Sequence, residues 1–280
     1  MFKRLASLAF VFVFILAVAN FAIADDKQST KSENNQIGIY VAPKFFTGYA
    51  YATNWKRENR HLTKNESGTF AIAGGDQGAG IWGGTFAIGY DFNKRFNIPV
   101  RTEIEYGIFC HMKLQGSEWQ AGDPAGMGGP KSSNRQWERQ VDLNIQTLMF
   151  NAYYDFRNST PFTPYVGAGL GLAFVTSKWK ETKYYADRTY WMNDYDESSG
   201  AKLNTNFAWQ LGLGIAYDFN EYVSVELGYR LMGLGPVKTA SKDMRGQFVG
   251  GIWQGAEENQ KFTIDNLLVH QVNLGLRVTF

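Results

Sequence analysis

Apolar residues alternate with small or polar residues over eight stretches of the chain, and a repeat of two is the side-chain repeat of a β-strand. The last stretch, 274–280, shows two interleaved sets. The first set is apolar and the second is small or polar: Leu274, Leu276, Val278 and Phe280, against Gly275, Arg277 and Thr279. An arginine within an apolar strand is tolerated when one face meets lipid and the other faces a polar lumen. The pattern therefore predicts the closing strand of an outer-membrane barrel.

The eight predicted strands cover residues 37–53, 79–92, 99–115, 137–156, 162–180, 202–219, 222–234 and 267–280. Their connections alternate between short turns (93–98, 157–161, 220–221) and long polar loops (54–78, 116–136, 181–201, 235–266). Short periplasmic turns and long extracellular loops are typical of membrane barrels. We therefore predict an all-β fold: an eight-stranded antiparallel up-and-down transmembrane β-barrel with four long extracellular loops.

The two parities of each strand predict a lipid face and a lumen face. On the third strand, Met112 is predicted to face lipid, and His111 and Lys113 the lumen. The charged residues predicted to point inward are Lys44, Arg101, Glu103, Glu105, Glu226, Arg230 and Arg277. The interior of an eight-stranded barrel is narrow, and a buried charge is costly unless it is paired. The leading hypothesis is an ion-pair plug; a gate that passes ions and carboxylates in acid–base catalysis are the alternatives.

Two groups of inward charges are expected at different heights. The upper group is Lys44, Glu105 and Arg230; the lower group is Arg101, Glu226 and Arg277, near Asp91, Asp155 and Asp218. Aromatic residues close to the short turns predict a periplasmic girdle. They are Tyr90, Phe92, Tyr154, Phe156, Phe162, Tyr217, Phe219, Tyr222 and Phe280. An upper girdle is expected from Trp82, Phe174, Trp179, Phe207 and Trp209.

The N-terminus predicts export. Lys3 and Arg4 precede the apolar run 5–19, and 22–24 fits an A-x-A cleavage site, so residues 1–24 are predicted to be a cleavable signal peptide. A membrane anchor is the alternative. Residues 25–36 are polar and are predicted to be a disordered periplasmic leader ahead of a barrel over 37–280.

Charge and cysteine content narrow the class of protein further. The formal net charge of +2 includes Lys3 and Arg4, and it favours no nucleic-acid partner. The single cysteine, Cys110, excludes an internal disulfide framework.

Several runs resemble a known family. They are Asn151–Phe156, Thr163–Gly171, Leu211–Phe219 and Val223–Leu231, together with the terminal Phe280. They are similar to the opacity-protein-like small outer-membrane barrels and related surface antigens. The resemblance implies an eight-stranded barrel with exposed variable loops, and it implies that the barrel-assembly machinery reads Phe280. No catalytic motif comes with it.

The glycine repeat and the histidines do not indicate a phosphate-binding or catalytic site. Gly167, Gly169 and Gly171 recur every second residue within a strand, so we expect them to make room in the lumen rather than to hold a phosphate. The histidines are His61, His111 and His270. A hydrolase needs a nucleophile beside the histidine, and the strand of His111 carries no serine. We predict no enzyme, no metal site and no cofactor.

Tyrosine and tryptophan beside charged residues mark the third long loop, a composition typical of recognition surfaces. The recognition candidates are Trp179, Tyr184, Tyr185, Tyr190, Trp191 and Tyr195. The alternative is that these aromatics pack on one another. The predicted function is surface interaction through the loops, as an adhesin, antigen or envelope-structural protein. A narrow pore is the alternative, and a lipid-modifying enzyme is a third. The expected partners are outer-membrane lipid, the barrel-assembly machinery and an extracellular ligand, with the protein a monomer.

Overall fold

The computed structural model describes residues 37–61, 67–71, 77–120, 134–187, 190–244, 247–249, 252–254 and 258–280. The predicted signal peptide and leader lie outside these residues. The first elements are β1 (Ile39–Thr53), β2 (Lys56–His61), β3 (Ser67–Ala71), β4 (Gln77–Asp91), α1 (Asn93–Phe96), β5 (Val100–Phe109), β6 (Met112–Gln120), β7 (Asn134–Asp155) and β8 (Phe162–Asp187). The others are β9 (Tyr190–Ser198), β10 (Lys202–Asp218), β11 (Val223–Gly233), β12 (Val237–Lys238), β13 (Lys242–Met244), β14 (Gln247–Val249), β15 (Ile252–Gln254), β16 (Glu258–Ile264) and β17 (Asn266–Thr279).

Eight antiparallel wall strands, here called staves, close into a barrel, and β5 and β6 together make one of them. The order around it is β1, β4, β5 with β6, β7, β8, β10, β11 and β17, and β17 pairs with β1. Every pairing in the barrel is antiparallel. The backbone N–H of Phe280 donates to the carbonyl of Ile39, so the chain ends at the seam. The predicted eight-stranded up-and-down barrel is confirmed. Among the described residues, no helix is long and apolar enough to span a bilayer.

Along most staves, the residues predicted to face lipid point outward and those predicted to face the lumen point inward. On β10, Leu211 and Leu213 point outward and are exposed, whereas Ala208, Gln210 and Ala216 are buried. The periplasmic girdle is formed by exposed aromatics in contact with one another, such as Tyr154 with Phe156 and Tyr217 with Phe219. The barrel therefore has an apolar belt on the outside, as a lipid-facing surface requires.

The alternation of inward and outward side chains along the third stave is interrupted at Cys110 and His111, between β5 and β6. Ile108 pairs with Gln146, yet Met112 pairs with Leu143, so four steps on one strand oppose three on the other. This extra residue is a β-bulge, which turns every later side chain to the opposite face. Met112 is buried, while His111 and Lys113 are exposed. The predicted orientation of these three residues is therefore wrong.

The extracellular side carries more β-structure than expected. β2, β3, β12, β13 and β16 form a small sheet, and β16 leads into β17 through Asp265. Lys56 donates to Asp265 at 2.8 Å, and this hydrogen bond lowers the pKa of the Asp265 carboxyl below its usual value. β7 and β8 stay paired from Asp155 and Tyr165 to Asn134 and Ala186. These strands therefore run well past the length that crosses a bilayer.

Candidate functional site

The upper group of inward charges forms one buried cluster in the lumen. Lys44 Nζ lies 2.6 Å from Glu103 Oε1 and 2.9 Å from Glu105 Oε2. Arg230 meets both oxygens of Glu105, at 2.6 and 3.0 Å. Such a two-pronged arginine–carboxylate pair is among the stronger hydrogen-bonded contacts in proteins. Two cations and two carboxylates therefore balance one another as a neutral quartet, with Glu103 as the member that was not expected at this height.

The lower group lies nearer the periplasmic end. Arg101 lies 2.8 Å from Asp155 and 2.8 Å from Glu226, and Arg277 lies 2.9 Å from the same Glu226 oxygen. Arg277 also reaches Asp218 at 3.5 Å. The structure therefore brings all seven inward charges into two adjoining clusters, each with its charges paired.

Another ion-pair contact, at the periplasmic rim, joins Asp91 to Asp155 through Arg157. Arg157 Nη2 lies 2.8 Å from the buried Asp91 and 3.5 Å from Asp155. Because Arg157 is partly exposed, it lies between the buried network and the periplasmic solvent.

Neutral polar side chains complete the network, and the charge pattern alone did not identify them. Tyr153 donates to Glu103 at 2.7 Å, and Arg230 donates to the Tyr153 hydroxyl at 3.4 Å. The Arg101 guanidinium lies 5.2 Å from the centre of the Tyr153 ring. Tyr153 therefore lies between the two clusters. Asn151 adds a hydrogen bond to Glu103 at 3.1 Å. The inward parity of both residues is the only signal in the sequence that could have found them.

Glycine makes room for these large side chains. A Cβ on Gly167 would collide with the Tyr153 ring, and one on Gly169 would collide with the side chain of Asn151. Both glycines lie on β8, paired with Tyr153 and Asn151 of β7. The glycine repeat therefore lines the lumen as spacers, which confirms the prediction that these glycines make room there.

Above the charges, the lumen is filled by an apolar core. Its buried members from the staves include Phe46, Phe109, Met112, Leu143, Ile145, Met149, Met232 and Val269. Side chains from the predicted loops also enter this core: Trp55, Val237, Phe262 and Ile264. Trp55 and Phe262 are almost fully buried, with ring centres 6.3 Å apart. The lumen therefore has a charged layer toward the periplasm and an apolar layer toward the outside.

Trp179 belongs to this core. Its side chain is 1% exposed, its indole N–H donates to the Ala240 carbonyl at 3.0 Å, and its ring centre lies 5.1 Å from that of Phe262. The prediction of Trp179 as an outward girdle or recognition residue is wrong, because odd-numbered residues of β8 keep facing the interior. Glu181, two residues on, is also buried and lies 2.6 Å from Arg139.

The other recognition candidates lie on the extended β8–β9 hairpin, most of them near its tip. Backbone pairing puts Tyr184 opposite Asn193, Tyr185 opposite Met192, and Trp191 opposite Ala186. β7 contributes a third strand, with Arg135 opposite Tyr185. The side chains of Tyr184, Tyr185, Tyr190, Trp191 and Tyr195 lie outside the described residues.

The described histidines lie on the outer wall. His111 contacts Asp142 and Asn144, both at 3.1 Å, and His270 contacts the Tyr229 hydroxyl at 2.6 Å. The side chain of His61 lies outside the described residues. Within the part of the chain that the structure covers, no three His, Cys, Asp or Glu side chains are grouped as metal ligands.

Comparison with known proteins gives a consistent picture. The family model of the outer membrane protein beta-barrel domain matches residues 8–280. Outer membrane protein PagN of Salmonella typhimurium is 33% identical over 171 residues, which cover 61% of this chain and 65% of PagN. "Putative adhesin RC1281" of Rickettsia conorii is 33% identical over 107 residues, 38% of this chain and 40% of that protein. The chain therefore aligns with less than two thirds of each relative's length.

Among solved structures, the outer membrane protein OprG from Pseudomonas aeruginosa is similar, with 16% identity and a TM-score of 0.44 over 86% of this chain and 96% of OprG.

Proposed function

Because the chain belongs to the outer membrane protein beta-barrel domain family, we propose that it is an adhesin whose extracellular hairpin binds a ligand on another cell. It is an outer-membrane protein related to PagN and to the Rickettsia relative, which is named "Putative adhesin RC1281". In this proposal the filled barrel is a rigid anchor, and the strands beyond the membrane carry the binding surface.

The length of the paired strands β7 and β8, the second of which continues into the β8–β9 hairpin, is the observation that carries the proposal. β7 has 22 residues and β8 has 26, whereas a transmembrane strand needs about 9–11. About half of each strand therefore extends beyond the bilayer, with β6 and β9 paired alongside. Paired strands hold a recognition surface in one conformation, so less conformational entropy is lost when a ligand binds.

The adhesion proposal predicts that the hairpin tip is required for cell binding. Replacing Tyr184, Tyr185, Tyr190 and Trp191 together by Ala should abolish binding of an expressing, otherwise non-adherent bacterium to cultured animal cells. Aromatic hot spots each contribute about 2 kcal/mol or more, which is on the order of thirtyfold in affinity. Bound bacteria are counted after washing.

The matched control is Leu203→Ala, which truncates an exposed apolar side chain on β10, outside the hairpin. It should bind like the unmodified protein. Surface display and heat-modifiable mobility, measured for each variant, separate lost binding from lost folding. Equal binding by expressing and non-expressing bacteria would contradict the proposal.

The pore alternative depends on the lumen. An ion path would have to cross both the paired charges and the apolar core above them, and neither layer can open without leaving charges unpaired or apolar side chains hydrated. We therefore expect a planar bilayer containing the purified protein to show no conductance, or only rare and brief events. A stable, large conductance would make the narrow pore the leading function, with Glu103, Glu105 and Arg230 at the constriction.

The proposal includes no catalytic step. His111, the histidine considered for a hydrolase site, points outward and contacts Asp142 and Asn144 instead of a hydroxyl nucleophile. Lipid turnover that is lost in His111→Ala would contradict this. The role of Phe280 in assembly and the monomeric state stay predictions.

A further inference from the structure

The barrel wall has a slot between β10 and β11 near its outer end. Their backbone pairing stops at Trp209 and Gly233, although β10 continues to Lys202 along β8 on its other side. Beyond Gly233 the chain turns away through Gly235, whose φ of 72° suits glycine, and reaches Pro236. Because proline has no backbone N–H, this segment cannot continue the ladder toward β10. The wall therefore loses its backbone hydrogen bonds at this point.

The slot is an ordered feature. Asn206 donates through Nδ2 to the carbonyls of Leu234 at 2.9 Å and Pro236 at 2.7 Å, and so bridges the gap with a side chain. On the opposite side, the backbone N–H of Leu234 donates to Leu267 at 2.8 Å, and that of Leu267 donates to Gly235 at 3.1 Å. The segment is thus tied to β17 by backbone hydrogen bonds and to β10 by asparagine side chains. Besides Asn206, Asn204 donates to the Lys238 carbonyl and accepts from the Lys238 N–H, both at 3.0 Å.

A groove of about 590 Å³ occupies the slot. Its volume lies within the range of roughly 300–1,000 Å³ that is usual for small-molecule sites. Its apolar lining comes from Phe207, Trp209, Leu267 and Leu268, and its polar lining includes Thr205 and Asn266. A Cβ on Gly233 would collide with the Trp209 indole, so glycine lets this ring lie against the wall and shape the groove.

The groove lies at the outer boundary of the hydrocarbon layer. Counted from Asp218 at the periplasmic end of β10, Trp209 is the tenth residue and Phe207 the twelfth. A strand crosses the hydrocarbon layer in about 9–11 residues. Phe207 is 62% exposed on the outside of the barrel, so the groove is continuous with the lipid-facing surface. Its aromatic part therefore borders lipid tails, and its polar part borders the headgroups.

We propose that this groove binds one acyl chain of an outer-leaflet lipid, with the polar end of that lipid beside Thr205 and Asn266. Lipid tails are already in apolar surroundings, so retention comes from van der Waals packing and polar contacts rather than from the hydrophobic effect. A recess between aromatic side chains can pack against several sides of an acyl chain. The barrel wall elsewhere, where the hydrogen-bonded ladder is continuous, can pack against only one side of it. This site is independent of the adhesion proposal.

Photolabelling tests the site with the full-length mature protein in phosphatidylcholine vesicles. The probe is a phosphatidylcholine with a diazirine on one acyl chain, and labelled peptides are mapped by mass spectrometry after irradiation. Labelling should be several-fold higher on peptides carrying Thr205–Trp209 and Asn266–Leu268 than on the lipid-facing peptide around Ile104. Thr205→Trp, which fills the groove, should remove this excess. The matched control Thr102→Trp, on the outer face of β5, should leave it unchanged.

Gly233→Ala gives a second variant should Thr205→Trp not assemble. The added methyl group must displace the Trp209 indole, so labelling in the groove should fall while heat-modifiable mobility is kept. Labelling spread evenly around the barrel would overturn the proposal, because it would indicate only the surrounding annulus of lipid. Labelling that persists in both groove variants would overturn it too. A dimer in sedimentation that Thr205→Trp dissociates would instead make the groove an interface between two copies.

Discussion

Glu105→Ala should lower the free energy of unfolding by about 3–5 kcal/mol, the usual cost of breaking a buried ion pair from one side. Glu105 accepts from Lys44 at 2.9 Å and from Arg230 at 2.6 and 3.0 Å, and its side chain is 1% exposed. Its removal leaves Arg230 without a carboxylate and Lys44 with Glu103 alone. Urea unfolding in detergent micelles, followed by heat-modifiable mobility, would measure the loss as a lower midpoint at unchanged slope.

The quartet supplies a sharper form of this test. Replacing Lys44 and Arg230 by Met, and Glu103 and Glu105 by Gln, removes two charges of each sign together. Because no charge is left unpaired, the combined variant should lose less stability than the four single changes added. Asp265→Ala is the matched control, because it breaks the exposed pair with Lys56 and should change stability little. Strictly additive costs, or a stable Glu105→Ala, would show that the charges do not act as one buried unit.

Leu213→Arg should cost roughly 2–4 kcal/mol, because it puts a cation at mid-membrane on the lipid face. Leu213 is the sixth residue from the periplasmic end of β10, it points outward, and it is 59% exposed. Leu227→Arg, on the outer face of β11, should behave in the same way. The cost would be measured by unfolding in vesicles of two lipid thicknesses, and it should be greater in the thicker bilayer.

Two controls separate the effect of a residue's depth in the bilayer from the other effects of an arginine substitution. Leu203→Arg changes an outward residue of the same strand beyond the membrane, so its cost should be about 0–1 kcal/mol. Gly228→Arg changes an inward residue whose Cβ would come within 2.6 Å of the Tyr165 hydroxyl. It should destabilise by crowding the lumen, with no dependence on lipid thickness. Equal sensitivity of Leu213→Arg and Gly228→Arg to thickness would mean that the two faces are assigned wrongly.

Period-two alternation was enough to predict the barrel, because the side-chain repeat of a strand is local and each stave has one face against lipid. It placed Leu213 and Leu227 outside, and it placed Lys44 and Arg230 inside. The sorting of connections by length gave the strand order as well, since an up-and-down barrel joins each stave to the next.

The alternation failed where contacts between distant residues decide the outcome. A single extra residue at Cys110–His111 reversed the faces of Met112 and Lys113, and a bulge is visible only when the partner strand is known. Glu103 joined the upper cluster because Lys44 reaches it from another stave, and no property of its own strand indicates that reach.

The upper lumen and the wall slot were likewise decided by tertiary structure. Trp55 and Phe262 come from segments predicted as loops, and the Phe262 ring contacts the rings of both Trp55 and Trp179. Phe262 lies on β16, which pairs with β2, so this contact depends on strands that are distant in sequence. The slot exists because Pro236 and Gly235 end one ladder while Asn206 bridges it. Local periodicity specifies which way a side chain points along an unbroken strand; what fills the space it points into depends on chain segments far away in sequence.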